Sequence, residues 1–144
     1  MRNSLILTNT DTTIGFISQN SQKIDKAKKR PSNKHYIRAV NSLKTLKNFT
    51  RVPNRYKNRV RRAKKSSFII KSNSFRVIKN TKHNLLLDRF KWAYSSSANL
   101  SGEKFNKNYA ESVADILVFE PNFKDSKASR IYKIGNRRLE RVRG

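Results

Sequence analysis

Between Lys23 and Lys91 the chain carries only two carboxylates, Asp25 and Asp88, and from Arg51 to Lys65 it places eight basic residues with no acid among them. Charge at this density repels itself, so a compact state needs either a cohesive apolar core or an anion close by. The whole chain has a net charge of +25, from 34 Lys and Arg against 9 Asp and Glu. Nucleic acid or a polyphosphate is the natural partner of such a surface, although a solvated basic face is the plainer reading. Leu, Ile, Val and Phe are spread along the 144 residues, and hydrophobic residues make up 35% of them, enough for one modest core in one domain.

Composition also excludes chemistry. There is no cysteine, which rules out disulfides, thiolate catalysis and zinc–thiolate sites. His35 and His83 are too few for a histidine metal cluster. No stretch approaches the roughly 18 apolar residues of a membrane span. The run Leu5-Ile6-Leu7 is too short for a signal h-region, so the chain reads as cytoplasmic and without a membrane partner.

The apolar pattern predicts alternating strands and helices. Leu5–Thr8 and Thr12–Ile17 read as two extended pieces around a turn at Thr10-Asp11. Ser21–Lys29 reads as a helix capped by Ser21 and stopped by Pro31. Ile37, Val40, Leu43 and Leu46 recur every three residues and suggest an amphipathic helix over Tyr36–Phe49, with room for a short strand before it. Val52–Lys65, with Pro53 and little periodicity, is the least structured segment. Ser66–Lys71 and Phe75–Ile78 form a hairpin around Ser72-Asn73-Ser74. Asn84–Tyr94 reads as helix, Ser95–Gly102 as a small-residue loop, Glu103–Ala114 as helix and Ile116–Phe119 as strand. A last hairpin pairs Arg130–Ile134 with Leu139–Val142 across Gly135-Asn136. The order implies an α/β fold, a mixed sheet with helices packed on it.

Three segments carry polar chemistry. In Thr8-Asn9-Thr10-Asp11-Thr12, Asp11 can accept from backbone N–H groups and fix the turn, leaving the Thr10 hydroxyl for a small polar ligand. In Lys28-Lys29-Arg30-Pro31, Lys28 and Arg30 stand two apart, so an extended segment aims both cations at one anion, with Lys34 as a third. In Ser95–Gly102, small side chains let backbone N–H groups approach phosphate, and Ser97 and Asn99 share a face. Alone, the first segment fits a structural turn better than a ligand contact, the second fits a basic surface at least as well, and the third fits a plain loop equally well. None is a Walker loop.

Taken together, their order and spacing resemble the YrdC-like threonylcarbamoyl-adenylate synthase family, the group of TsaC, YciO and YwlC. Thr10-Asp11-Thr12 with Gly15 is similar to the family's Thr-Asp-Thr turn, Lys28-x-Arg30-Pro31 to its Lys-x-Arg-Pro signature, and Ser97-Ala98-Asn99-Leu100-Ser101-Gly102 to its Ser-x-Asn signature. Arg76-Val77 resembles the family's Arg-Val strand, and Ser129-Arg130-Ile131 with Arg141-Val142-Arg143-Gly144 its C-terminal strand pair. The resemblance covers residues 1–144 as one YrdC-like domain, shortened at the N-terminus and in the middle. It departs from the family at Asn9, where a proline is usual, at Ile14, where a tyrosine is usual, and at Phe105, where a small residue is expected. Ala63-Lys64-Lys65-Ser66-Ser67 replaces a Pro-Gly-Pro-x-Thr segment, with Ser67 in the threonine's place.

The resemblance implies a single-domain twisted mixed sheet with flanking helices and a basic concave face. It implies an enzyme, a nucleotidyltransferase that joins L-threonine, bicarbonate and ATP into threonylcarbamoyl-AMP with release of pyrophosphate, for the threonylcarbamoyladenosine modification of tRNA. Lys28 and Arg30 would be catalytic. Arg30, Lys34, Ser67, Ser97, Asn99 and Arg143 would bind the nucleotide, and Thr10 and Ser129 the threonine. No protein metal site is implied; Mg²⁺ would arrive with ATP. The partners implied are tRNA or double-stranded RNA and other tRNA-modification proteins. A non-catalytic RNA-binding member of the same fold is the alternative, and an unrelated basic RNA-binding protein, such as a ribosomal one, is a third reading.

Overall fold

The computed structural model describes residues 3–10, 14–29, 36–64, 66–78, 87–100, 103–118, 130–135 and 137–143. They build nine strands: β1 (Ile6–Asn9), β2 (Ile14–Ser18), β3 (Ile37–Val40), β4 (Ser66–Ile70), β5 (Asn73–Val77), β6 (Trp92–Ser97), β7 (Ile116–Val118), β8 (Arg130–Ile134) and β9 (Leu139–Arg143). Four helices join them: α1 (Ser21–Lys28), α2 (Leu43–Leu46), α3 (Lys57–Arg62), which follows a 3₁₀ turn at Asn54–Tyr56, and α4 (Lys107–Val113). A helical turn occupies 87–90. The strands form one sheet in the order β7-β1-β2-β6-β3-β5-β4-β8-β9. The pairs β1/β7, β3/β5 and β4/β8 are parallel and the others antiparallel, so the sheet is mixed.

Strand alternation divides the core between two faces. On one face Leu5, Leu7 and Phe16 pack against Ile24 and Ala27 of α1 and Ala110 of α4. Further along that face Val40, Phe68, Ile70, Phe75, Val77 and Ile134 pack against Leu43 and Leu46 of α2 and Val60 of α3. On the other face Ile6, Ile17, Ala39 and Ala93 pack against Ile78, Leu87 and Phe90. Arg38 bridges the two clusters of the helical face. Its guanidinium lies 4.4 Å from the Phe49 ring centroid, 5.0 Å from Trp92 and 5.1 Å from Tyr94, and it donates to the Tyr94 hydroxyl at 2.7 Å.

Several local expectations are corrected. Of the helix with a preceding short strand expected at Tyr36–Phe49, the strand is β3, where Ile37 and Val40 pair within the sheet, and the helix is only the single turn α2, which Ser42 caps by accepting from the Thr45 N–H at 3.2 Å. A three-residue spacing arose there from two elements of different period. The segment with least apolar periodicity holds a 3₁₀ turn and α3, anchored by the buried Val52 and Val60. Trp92–Tyr94, read as helix, and Ser95–Ser97, read as loop, are one strand paired on both edges, with β2 and with β3. The N-cap of α1 is Asn20, whose side chain accepts from the Gln22 N–H; Ser21 is already helical. That helix ends at Lys28 with Lys29 in the left-handed region (φ 51°). The β4–β5 turn is the two-residue Lys71-Ser72, with φ of 50° and 69°, the all-positive pattern that suits a right-twisted hairpin.

Candidate functional site

Register places the polar residues of β1, β2 and β6 in one row. Gly15 pairs with Thr8 on one side and with Ser97 on the other. Their side-chain positions lie on the face that carries Ile6 and Ile17, opposite α1–α4. A Cβ built on Gly15 would lie 2.8 Å from the Ser96 carbonyl oxygen and 3.0 Å from Cγ2 of Thr10. Thr10 therefore folds back over Gly15, next to Ser97, and only glycine leaves it room. This brings together two residues separated by 87 positions in the chain.

Lys28 holds the other side of this corner. The residue is buried (4% exposed), and its ammonium donates to the main-chain oxygens of Ser97 and Asn99, each at 2.8 Å, and to Oδ1 of Asn99 at 3.3 Å. Asn99 Oδ1 also accepts from the Ser97 hydroxyl at 2.5 Å, while Nδ2 donates to the oxygens of Leu100 and Glu103. All hydrogen-bonding positions of the Asn99 amide are thereby used. Ser97 is exposed at the end of β6. Helix α1 is locked in turn: Tyr36 donates to the Asp25 carboxylate, and Tyr109 of α4 donates to the Ala27 oxygen at 2.6 Å.

A second polar group lies on the same face. The pairing of Phe68 with Phe75 puts Ser67 beside Arg76, both nearly fully buried. Ser67 pairs with Ile131, and Ile131 with Arg143, so the backbone of Arg143 stands two strands from Ser67 in one row. From Ser97 to Ser67 is three strands across and several residues along the strands, a distance on the order of 15–20 Å. The face thus carries two separate polar groups, the second of them buried, with Ile37 and Ala39 on β3, one of the two strands between them.

Of the residues predicted from sequence, Thr10, Lys28, Ser97 and Asn99 meet at one corner, and Ser67 lies on the same face. Arg30, Lys34 and Ser129 lie outside the described residues, as do Asp11, Thr12, Ser101 and Gly102. Sequence reasoning did not include Arg76 among the site residues, although its place in an otherwise apolar strand, between Phe75 and Val77, was a usable signal. An arginine 6% exposed in a small domain is rare enough to merit attention. Among the described residues no three His, Asp or Glu side chains group as metal ligands, and no helix is long and apolar enough to cross a membrane.

No protein-family model matches the sequence, and no curated protein matches it. Solved structures match it over nearly its full length. A crystal structure of P. abyssi Sua5 complexed with L-threonine superposes with a TM-score of 0.80 at 15% identity, covering 98% of this chain and 50% of that one. E. coli YciO superposes with a TM-score of 0.78 at 15% identity, covering 98% and 82%. Full-length HypF in a phosphate- and nucleotide-bound form gives 0.78 at 10% identity, covering 97% of this chain and 26% of that one. The mixed sheet with its flanking helices is the fold of these proteins, as the motif resemblance implied. The chain spans about half the length of the Sua5 chains it matches.

Proposed function

We propose that the face carrying Thr10, Ser67 and Ser97 binds L-threonine and a nucleotide, and that the chain condenses threonine, bicarbonate and ATP to threonylcarbamoyl-AMP. The carbamate formed on the threonine amine attacks the α-phosphorus, and pyrophosphate leaves. The observation that carries this reading is the Lys28–Ser97–Asn99 network beside Gly15, the strand partner of Ser97 against which Thr10 packs, in a fold shared with a Sua5 that holds L-threonine. No general acid–base pair is needed. Rate enhancement comes from holding three reactants together and from countering phosphate charge.

In this reading Thr10 and Ser129 receive threonine, next to the corner that Lys28 and Asn99 hold rigid. Ser97 presents its hydroxyl to the nucleotide. Arg30 and Lys34 bind phosphate or carbamate oxygens, and Ser67 and Arg143 hold the far end of the nucleotide. The two polar groups stand far enough apart for an extended nucleotide to bridge them. Mg²⁺ enters bound to the ATP phosphates. The product would supply tRNA modification, with tRNA or double-stranded RNA and other modification proteins as partners.

The test is pyrophosphate release by the purified chain with ATP, bicarbonate and threonine. Release that requires threonine supports the synthase. ATP and threonine binding without release would leave a binding protein of the same fold. RNA binding with neither small ligand would select the non-catalytic RNA-binding reading, which the charge of +25 favours.

A further inference from the structure

Helix α3 buries Val60 and exposes Arg59, Arg61 and Arg62. A cavity lies on each side of it. One, of about 480 Å³, is lined by the cations Arg59, Arg62, Lys64 and Arg130 against a wall of Phe68 and Tyr132. The other, of about 580 Å³, is lined by Lys44, Lys47 and Arg61 with Asn41, Ser42 and Asn48. Neither lining contains a carboxylate, and among the described residues no ion pair neutralises these seven cations.

One cation is already positioned. The Arg59 guanidinium stacks over the Tyr132 ring at 5.0 Å, and Tyr132 stacks on Phe68 at 5.7 Å with the planes 22° apart. Stacking restrains the planar group while its N–H edges remain available, which lowers the ordering cost of binding an anion. Phe68 and Tyr132 alternate onto the helix-covered face of the sheet, so these grooves lie on the side away from Thr10 and Ser97.

We propose that α3 is a saddle for the phosphate backbone of RNA, which seats phosphates in the grooves on both sides of the helix. A single small anion fits one groove. Only a polymer of regularly spaced phosphates fills two basic grooves separated by a helix about 10 Å wide. The Tyr132 ring is engaged by Arg59 and Phe68, and no other aromatic lines either groove, so the surface has no platform for bases. It reads backbone and not sequence. The proposal is independent of the synthase reading. It deepens the RNA-partner reading by naming a surface from which RNA does not compete with a small ligand in the cleft.

The test uses the full chain and a short labelled RNA duplex of arbitrary sequence, with affinity measured across a salt series. The variant R62A/K64A/R130A removes three exposed charges, and circular dichroism checks that it is folded. Each lost phosphate contact removes roughly 0.7–0.9 from the slope of log affinity against log salt, so the slope should fall by roughly 2–3 and affinity at low salt by at least about tenfold. The variant K26A/K104A/K133A removes the same charge elsewhere and should change the slope by less than about one. Equal losses in the two variants would overturn the proposal in favour of diffuse attraction. So would binding of tripolyphosphate or polyglutamate as tight as that of the RNA. Threonine-dependent pyrophosphate release by the same variants reports on the cleft separately, so failure of one reading leaves the other measurable.

Discussion

The ammonium of Lys28, at the last turn of α1, donates to the main-chain oxygens of both Ser97 and Asn99 across 2.8 Å, tying a helix to the end of a strand 69 residues further along the chain. A buried ammonium with three acceptors is a structural pin as well as a charge. Lys28→Met keeps the length and removes the donors, leaving the two carbonyls and Oδ1 of Asn99 without this partner. Loss of about 2–4 kcal/mol in urea unfolding is expected, together with loss of turnover. Stability equal to wild type with turnover alone abolished would show that Lys28 acts on the substrate and not on the loop.

Gly15 is constrained by its neighbours. A methyl group there meets the Ser96 carbonyl at 2.8 Å, a contact with backbone that no rotamer change relieves. Gly15→Ala should destabilise by about 1–3 kcal/mol and displace Thr10. Threonine affinity, measured by calorimetry, should therefore weaken more than ATP affinity. Unchanged thermal stability would show that the β2–β6 pairing is looser than its register implies.

The Arg38 cage has a built-in reporter, because Trp92 is the sole tryptophan of the chain. Arg38→Lys keeps the charge but loses the flat face that meets Phe49 and Trp92 and the bond to the Tyr94 hydroxyl. A loss of about 1–2 kcal/mol is expected, with Trp92 emission shifted to the red and easier to quench by acrylamide. An unaltered spectrum would mean that the rings pack without the guanidinium.

Asp115 ties the start of β7 to β1. Its carboxylate accepts from the Leu5 N–H at 2.9 Å and from Lys23 at 3.1 Å, and these bonds, the backbone one first, lower its pKa below the ordinary aspartate value. A lowered folded-state pKa contributes stability above the unfolded-state pKa, and that contribution is lost as pH falls through the folded value. Wild-type stability should therefore decline more steeply below about pH 4 than that of Asp115→Asn. Parallel pH profiles for the two proteins would exclude this role.

Arg30 and Lys57 separate site chemistry from surface charge. With Arg30 on an anionic oxygen of the nucleotide or carbamate, Arg30→Ala should lower turnover by roughly 30-fold or more, the equivalent of about 2 kcal/mol. Lys57→Ala, at the start of α3, should leave turnover intact and slightly weaken RNA binding. Equal turnover in the two variants would remove Arg30 from the site.

Sequence alone determined what local chemistry controls. The hairpins β1–β2, β4–β5 and β8–β9 were legible because short apolar runs flank turn-forming residues. The chemical classes of Thr10, Lys28, Ser97 and Asn99 were legible because hydroxyls, an amide and a cation clustered in short segments. The charge of +25 carries the expectation of an anionic partner and locates no surface for it. What pairs or packs at long range was decided only by the tertiary structure. Trp92–Ser97 is a strand because β2 and β3 flank it, and α3 exists because Val60 finds a place beneath the basic surface. The tertiary structure also sets Lys28 against the main-chain oxygens of Ser97 and Asn99, 69 and 71 residues further along the chain. Burial favours that pairing, since a desolvated ammonium must satisfy its donors with whatever acceptors the fold brings within 3 Å. No local pattern encodes which acceptors those are.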